Sequence, residues 1–140
     1  MAKPSSNKDL INSLSFSVHQ LGLLESLNEL AMAYQASNVF VSPSIQDSGP
    51  MMVAESLACG TPVIAFKMGL ADDLIQNGKN GFLCDLYDFR QIGHSLFKIS
   101  QLSEQQFADM SVHCLSTAHA TCSQDFALSA FFQTFQDTHN

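Results

Sequence analysis

Two short apolar runs, Asn-Val-Phe-Val-Ser at 38–42 and Thr-Pro-Val-Ile-Ala-Phe at 61–66, constrain this chain's fold more than any other feature. Neither alternates apolar with polar residues, so a strand formed by either is covered on both faces. Between them lies a segment that reads as a helix from about Pro50 to Cys59. Proline sits in its first turn and Gly60 stands just past its end. Strands buried on both sides and joined by crossover helices require a parallel sheet between helical layers, an α/β fold.

The same alternation extends in both directions. Ser17 to Gly22 reads as a short strand ending at a glycine. Ser26 and Glu29 form a capping box, and the helix they open places Leu27, Leu30, Ala31 and Tyr34 on one face. Lys67 to Gln76 reads as a loop holding one helical turn, and Asn77 to Cys84 as a turn running into a strand. Asp88 with Gln91, and Ser103 with Gln106, cap two further helices. Ser123 opens a last one carrying Phe126, Phe131, Phe132 and Phe135. The organisation expected is a flexible or weakly helical lead at 1–16, one α/β unit at 17–122, and a packing helix at 123–140.

Composition narrows the function. Hydrophobic residues make up 46% of the chain and charged residues 14%, which marks a globular protein. Six basic residues against thirteen acidic ones give a formal charge of −7, which argues against nucleic acid or an anionic membrane surface as a partner. A phosphate bound by such a chain has to be held by backbone amides or a helix N-terminus. No apolar run approaches the ~20 residues of a membrane span, and the first sixteen residues lack a signal peptide's apolar core. Cys59, Cys84, Cys114 and Cys122 show no paired spacing and read as reduced thiols in a cytoplasmic protein.

The connection from Ser42 to Met52 is where ligand chemistry concentrates, because ligands of parallel sheets sit outside the carboxyl ends of the strands. Gly49 permits close backbone approach, and Pro50 presets the first helical turn. The N–H groups of Met51, Met52 and Val53 then face the crevice with the positive end of the helix dipole behind them. Asp47 precedes this turn and Glu55 follows it eight residues later. A carboxylate aimed sideways at each end can accept hydrogen bonds from sugar hydroxyls. Acid, amide donors and acid together fit a sugar–diphosphate–nucleoside laid across the helix end. Each residue also has a plain reading: Glu55 as a solvated helix carboxylate, Asp47 as a turn former or cap. His113, Cys114, His119 and Cys122 suggest zinc, but only His119 and Cys122 share a helical face, and two ligands do not close a site. No metal and no cofactor are expected.

Taken together, Pro43–Phe66 resembles the donor-site signature of retaining GT-B glycosyltransferases of glycosyltransferase family 4. The features that carry the likeness are Asp47 and Glu55 eight apart, Cys59-Gly60-Thr61-Pro62-Val63, Gly69, and Gly78-Lys79-Asn80-Gly81-Phe82-Leu83. The likeness covers roughly residues 17 to 100. It implies a Rossmann-like, incomplete GT-B C-terminal domain and a nucleoside diphosphate sugar as donor substrate. Glu55 would bind the ribose and Asp47 the transferred sugar, with Ser48, Gly49, Pro50, Met51, Met52 and Val53 around the diphosphate. Leu21 to Leu23 would lie near the base. The family transfers a hexose to a glycan or lipid-linked acceptor, usually without metal, at the inner membrane face in some full-length enzymes.

Two departures qualify it. Asp47 stands where Glu is commoner, and Ser48-Gly49-Pro50 replaces a frequent Gly-Phe-Gly. The length also accommodates only the later part of the second of the family's two domains. The expected partner is an N-terminal acceptor domain, and alone the chain is expected to be a poor catalyst. A non-catalytic α/β module that binds no donor remains the alternative. If Ser17 to Leu21 is a bare sheet edge, copies are expected to pair through it as a homo-oligomer.

Overall fold

The computed structural model describes residues 7–46 and 51–122. Its frame is a parallel sheet of β1 (Phe40–Ser42), β2 (Val63–Phe66) and β3 (Gly81–Cys84), neighbours in that order. Phe40 pairs with Val63, which pairs with Gly81, and the rows continue through Val41–Ile64–Phe82 and Ser42–Ala65–Leu83. The helices are α1 (Asn7–Asn12), α2 (Leu27–Gln35), α3 (Met51–Ala58), α4 (Leu70–Leu74), α5 (Phe89–Ser100) and α6 (Glu104–Cys122).

The side-chain period of a strand explains why β2 is apolar at every position. Val63 and Ala65 point to a core made with Val53 and Leu57 of α3, Leu74 of α4 and Cys114 of α6. Ile64 and Phe66 point the other way, to Cys84 of β3 and to Ile92 and Ile99 of α5. All four β2 residues are buried. Full burial of side chains this size contributes about 1.5–3 kcal/mol each, so the two-sided strand is the main support of the fold. Its helical layers are α3, α4 and α6 on one face and α5 on the other.

Helix ends follow the sequence closely. Ser26 Oγ accepts the Glu29 N–H at 3.2 Å, and the Glu29 carboxylate accepts the Ser26 N–H at 3.2 Å. Ser103 and Gln106 make the same reciprocal pair at the start of α6. Asp88 caps α5 by accepting from Arg90 and Gln91 N–H. The Gln91 side chain instead holds Asp85, accepting from its N–H and donating to its carboxylate. Gly60, at φ +78, ends α3. Its N–H donates to Leu57 O and that of Thr61 to Ser56 O, the paired bonds of a left-handed helix stop.

Three expectations need correction. Ser17 to Gly22 forms no strand. These residues are exposed and irregular, with no described strand alongside, and apolar content alone does not hold a strand without a paired neighbour. The sheet edges among the described residues are therefore β1 and β3, so self-association through Ser17–Leu21 loses its structural basis. The face proposed for α2 is also only partly covered: Tyr34 is buried, while Leu27 is 83% exposed because the helix meets the body through its last turn. The Phe-rich helix expected from Ser123 lies outside the described residues.

Candidate functional site

The carboxyl ends of the three strands give on to α3, to Lys67 after β2 and to Asp85 after β3. Lys67 Nζ and Asp85 Oδ1 pair at 2.7 Å on the surface. The bond to Asp85 raises the lysine's pKa, and the same bond, followed by that from Gln91, lowers the carboxylate's. The cation that follows β2 is thus engaged by a neighbouring acid.

α3 begins at this rim. Met51 and Met52 open it and are 65% and 44% exposed, while Val53 is fully buried. Only the N–H of Val53 can therefore serve a ligand at the helix end, since its side chain is core. Glu55 lies one turn beyond Met51 on the same helical face and is half-buried. Asp47, Ser48, Gly49 and Pro50, the turn expected to carry the other acid, lie outside the described residues. Leu23 is 87% exposed in the irregular stretch before α2 and belongs to neither core cluster.

Glu55 has a partner that spacing alone did not reveal. Tyr34, in the last turn of α2, donates its phenolic hydrogen to Glu55 Oε2 at 3.2 Å. The tyrosine is 7% exposed, its ring meets Phe40 edge-on at 5.4 Å, and its carbonyl accepts the Thr61 hydroxyl at 2.8 Å. Burial, then the charge of Glu55 and the hydrogen bond to it, push the phenol's pKa up to about 12. The Cys59 thiol is raised as well, by burial and then by the same carboxylate.

This pairing has a testable sign. The folded chain holds the Tyr34 proton more tightly than the unfolded chain, so the stabilisation is complete below pH 10 and is lost as pH climbs toward about 12. In Glu55→Gln the charge disappears but burial stays. The Tyr34 ring-carbon titration, followed by NMR, is expected to fall from about 12 toward, but not to, 10.0. An unmoved titration would show that Glu55 does not sit on the phenol.

The other features seen in the sequence have structural work. Among the described residues no group of three or more His, Cys, Asp or Glu side chains is placed to hold a metal. Cys84 and Cys114 are free and buried, and burial pushes the Cys114 thiol up to about 12. An apolar cavity of about 690 Å³ lies at the opposite, amino end of the sheet, among Asn38, Val39, Leu96, Phe97 and Phe107. Its one acid, Glu104, stands among mostly apolar side chains, with no second carboxylate. The chemistry therefore favours the rim over the cavity.

Known proteins resemble this chain in sequence and in fold. The sequence profile described as "Glycosyl transferases group 1" matches residues 4–109. A D-inositol 3-phosphate glycosyltransferase from Thermobispora bispora is 36% identical over 100 residues, covering 71% of this chain and 23% of that protein. One of the same name from Thermomonospora curvata is 42% identical over 59 residues, covering 42% of this chain and 14% of its own length. The chain thus spans under a quarter of either relative. Among solved structures, sucrose-phosphate synthase from Thermosynechococcus elongatus superposes with a TM-score of 0.67 at 22% identity, over 79% of this chain and 28% of that one. The C-terminal domain of a group 1 family glycosyl transferase from Francisella tularensis gives 0.65 at 20% identity, over 74% and 53%. At those identities the superpositions establish the fold, a partial Rossmann-like domain of the GT-B type. No helix among the described residues is long and apolar enough to cross a membrane.

Proposed function

This chain belongs to the group 1 glycosyl transferases, and we propose that it is the nucleotide-sugar-binding part of a retaining member that moves a hexose from a nucleoside diphosphate to a glycan or lipid-linked acceptor. The observation that carries the reading is Glu55, half-buried one turn into a helix that starts at the carboxyl end of the sheet, its carboxylate turned aside onto Tyr34. So oriented, it is kept off the helix axis where a phosphate would sit, and it is free to accept from a ribose diol.

The roles follow from the chemistry of transfer. Breaking the bond between the sugar's anomeric carbon and the diphosphate leaves negative charge on the departing phosphate. N–H groups of Met51, Met52 and Val53, with the helix dipole behind them, stabilise that charge without a metal. Asp47 and the Ser48-Gly49-Pro50 turn complete the sugar side. An N-terminal domain would bring the acceptor and further cations for the diphosphate. Donor binding with little or no transfer is therefore the behaviour expected of the isolated chain.

The engagement of Lys67 by Asp85 favours a second reading, a fragment that folds and binds no donor. An NMR titration with UDP, GDP and ADP separates the two. Amide shifts gathered at the start of α3, and weakened at least tenfold in Glu55→Ala, are the expected result; such a loss matches a charge-assisted hydrogen bond of about 1.5–3 kcal/mol. A well-dispersed spectrum that no nucleotide moves would leave the second reading standing.

A further inference from the structure

We propose that Tyr34 is a positioning residue of the nucleotide site: its phenol clamps Oε2 of Glu55, so that the carboxylate meets the ribose hydroxyls in one fixed orientation. The proposal rests on the reading of Glu55 given above.

A glutamate on an exposed helix face samples several rotamers, and a ligand must then stop that motion on binding. Here the motion is stopped beforehand from another element. Tyr34 and Glu55 are 21 residues apart in sequence, so the bond joins α2 to α3 and is not a local turn contact. The clamp is itself held fast. The Tyr34 ring lies against Phe40 at the start of β1, and the Thr61 hydroxyl grips its backbone carbonyl from the end of α3. A tyrosine fixed at ring and backbone has little freedom to swing its hydroxyl elsewhere.

The bland interpretation is that Glu55 merely satisfies a buried phenol. A neutral acceptor would do that at lower cost. Glutamate instead places a charge beside the phenol and the Cys59 thiol, and adds to the burial that already holds both of those acids protonated. Among the described residues no cation pairs with Glu55. A partly buried, uncompensated carboxylate is a costly way to anchor two helices. The cost is accounted for if the second oxygen has a hydroxyl ligand to receive.

The test uses the full 140-residue chain and sets UDP, GDP and ADP each beside its 2′,3′-dideoxy form. The wild-type chain is expected to prefer the ribose form roughly tenfold. Tyr34→Phe, which keeps the ring on Phe40, is expected to reduce that preference to about threefold or less, leave dideoxy binding unchanged, and shift the Glu55 carboxyl carbon resonance without ligand. A role confined to stability would lower both affinities together and leave their ratio intact. A full preference in Tyr34→Phe that vanishes in Glu55→Ala would overturn the clamp while leaving the site. No preference in the wild-type chain would overturn both. Should Tyr34→Phe fail to fold, the wild-type Tyr34 ring-carbon resonance decides: it is expected to shift with a ribose nucleotide and not with the dideoxy form, and equal shifts would count against the clamp.

Discussion

Gly81→Ala is expected to force β3 away from β2 at the first rung of their pairing and to lower the melting temperature sharply. A Cβ placed on Gly81 would stand 2.0 Å from the carbonyl oxygen of Val63, 2.9 Å from its carbon and 3.0 Å from its nitrogen. All three are backbone atoms of the central strand, whose side chains are buried on both faces, so the obstacle cannot rotate away. Gly81 and Val63 are register partners, and relief requires the strands to part at the first rung of their pairing. Overpacking against main chain costs on the order of 3–5 kcal/mol, a large share of the ~5–15 kcal/mol that holds a domain together. Thermal melting should drop by roughly 10 °C or more, at about 2–4 °C per kcal/mol for a chain this size. Gly93→Ala, within α5, is the control, because nothing lies within 4 Å of the Cβ it would gain and its backbone suits any residue. Equal melting of the two variants would mean that β2 and β3 are not paired as described.

The second large effect is expected at Asn80, which is completely buried. Its Oδ1 accepts the Gln76 N–H at 2.7 Å, and its Nδ2 donates to Leu74 O and to Thr117 Oγ1, both at 3.0 Å. Its own carbonyl accepts from Val63 N–H at 3.2 Å and from the Cys114 thiol at 3.5 Å. One amide thus ties the end of α4 to α6, while its backbone ties α6 to the start of β2. Asn80→Ala orphans the Gln76 donor and removes a partner from Leu74 and Thr117, which costs about 3 kcal/mol by desolvation. Asn80→Asp discriminates better. Its carboxylate can accept from Gln76 but cannot donate to Leu74 O, so this variant should be weaker at pH 7 than at pH 4, where protonation restores a donor. Urea unfolding at both pH values reads the sign. A wild-type midpoint for Asn80→Ala would show that the network carries no weight.

Much of the architecture was legible because its causes are local. The unbroken run Val63–Phe66 could only be a strand covered twice, and the structure gives it one core on each face. Ser26 with Glu29 and Ser103 with Gln106 were readable since a capping box is fixed by spacing alone. Gly60 marked the end of α3 for a backbone reason that any helix stop shares.

What escaped was what depends on distant partners. Ser17–Gly22 has strand-like residues, but no described strand stands beside it, and only a neighbour makes a strand. Asn80 was named only as part of the Gly78–Leu83 run, with no role of its own. Its burial is produced by Leu74, Gln76 and Thr117 converging from α4, the loop after it and α6, and no periodicity reports that. Tyr34 was placed on an apolar helix face by period, yet its significant atom is the hydroxyl that reaches α3. Glu55 was singled out through its spacing from Asp47, whereas the phenol that orients it lies 21 residues back and carried no signal. Leu23 was assigned by likeness to the base side and stands in solvent on the described chain.

The central claim is that a sugar nucleotide sits across the start of α3 with its ribose on Glu55. Intermolecular NOEs from the ribose protons of bound UDP, GDP or ADP test it most directly. The account expects contacts to the side chains of Met51, Met52 and Glu55, and none to Val39, Leu96 or Phe107 around the cavity at the far end of the sheet. Ribose contacts confined to that cavity, with the α3 rim silent, would contradict it.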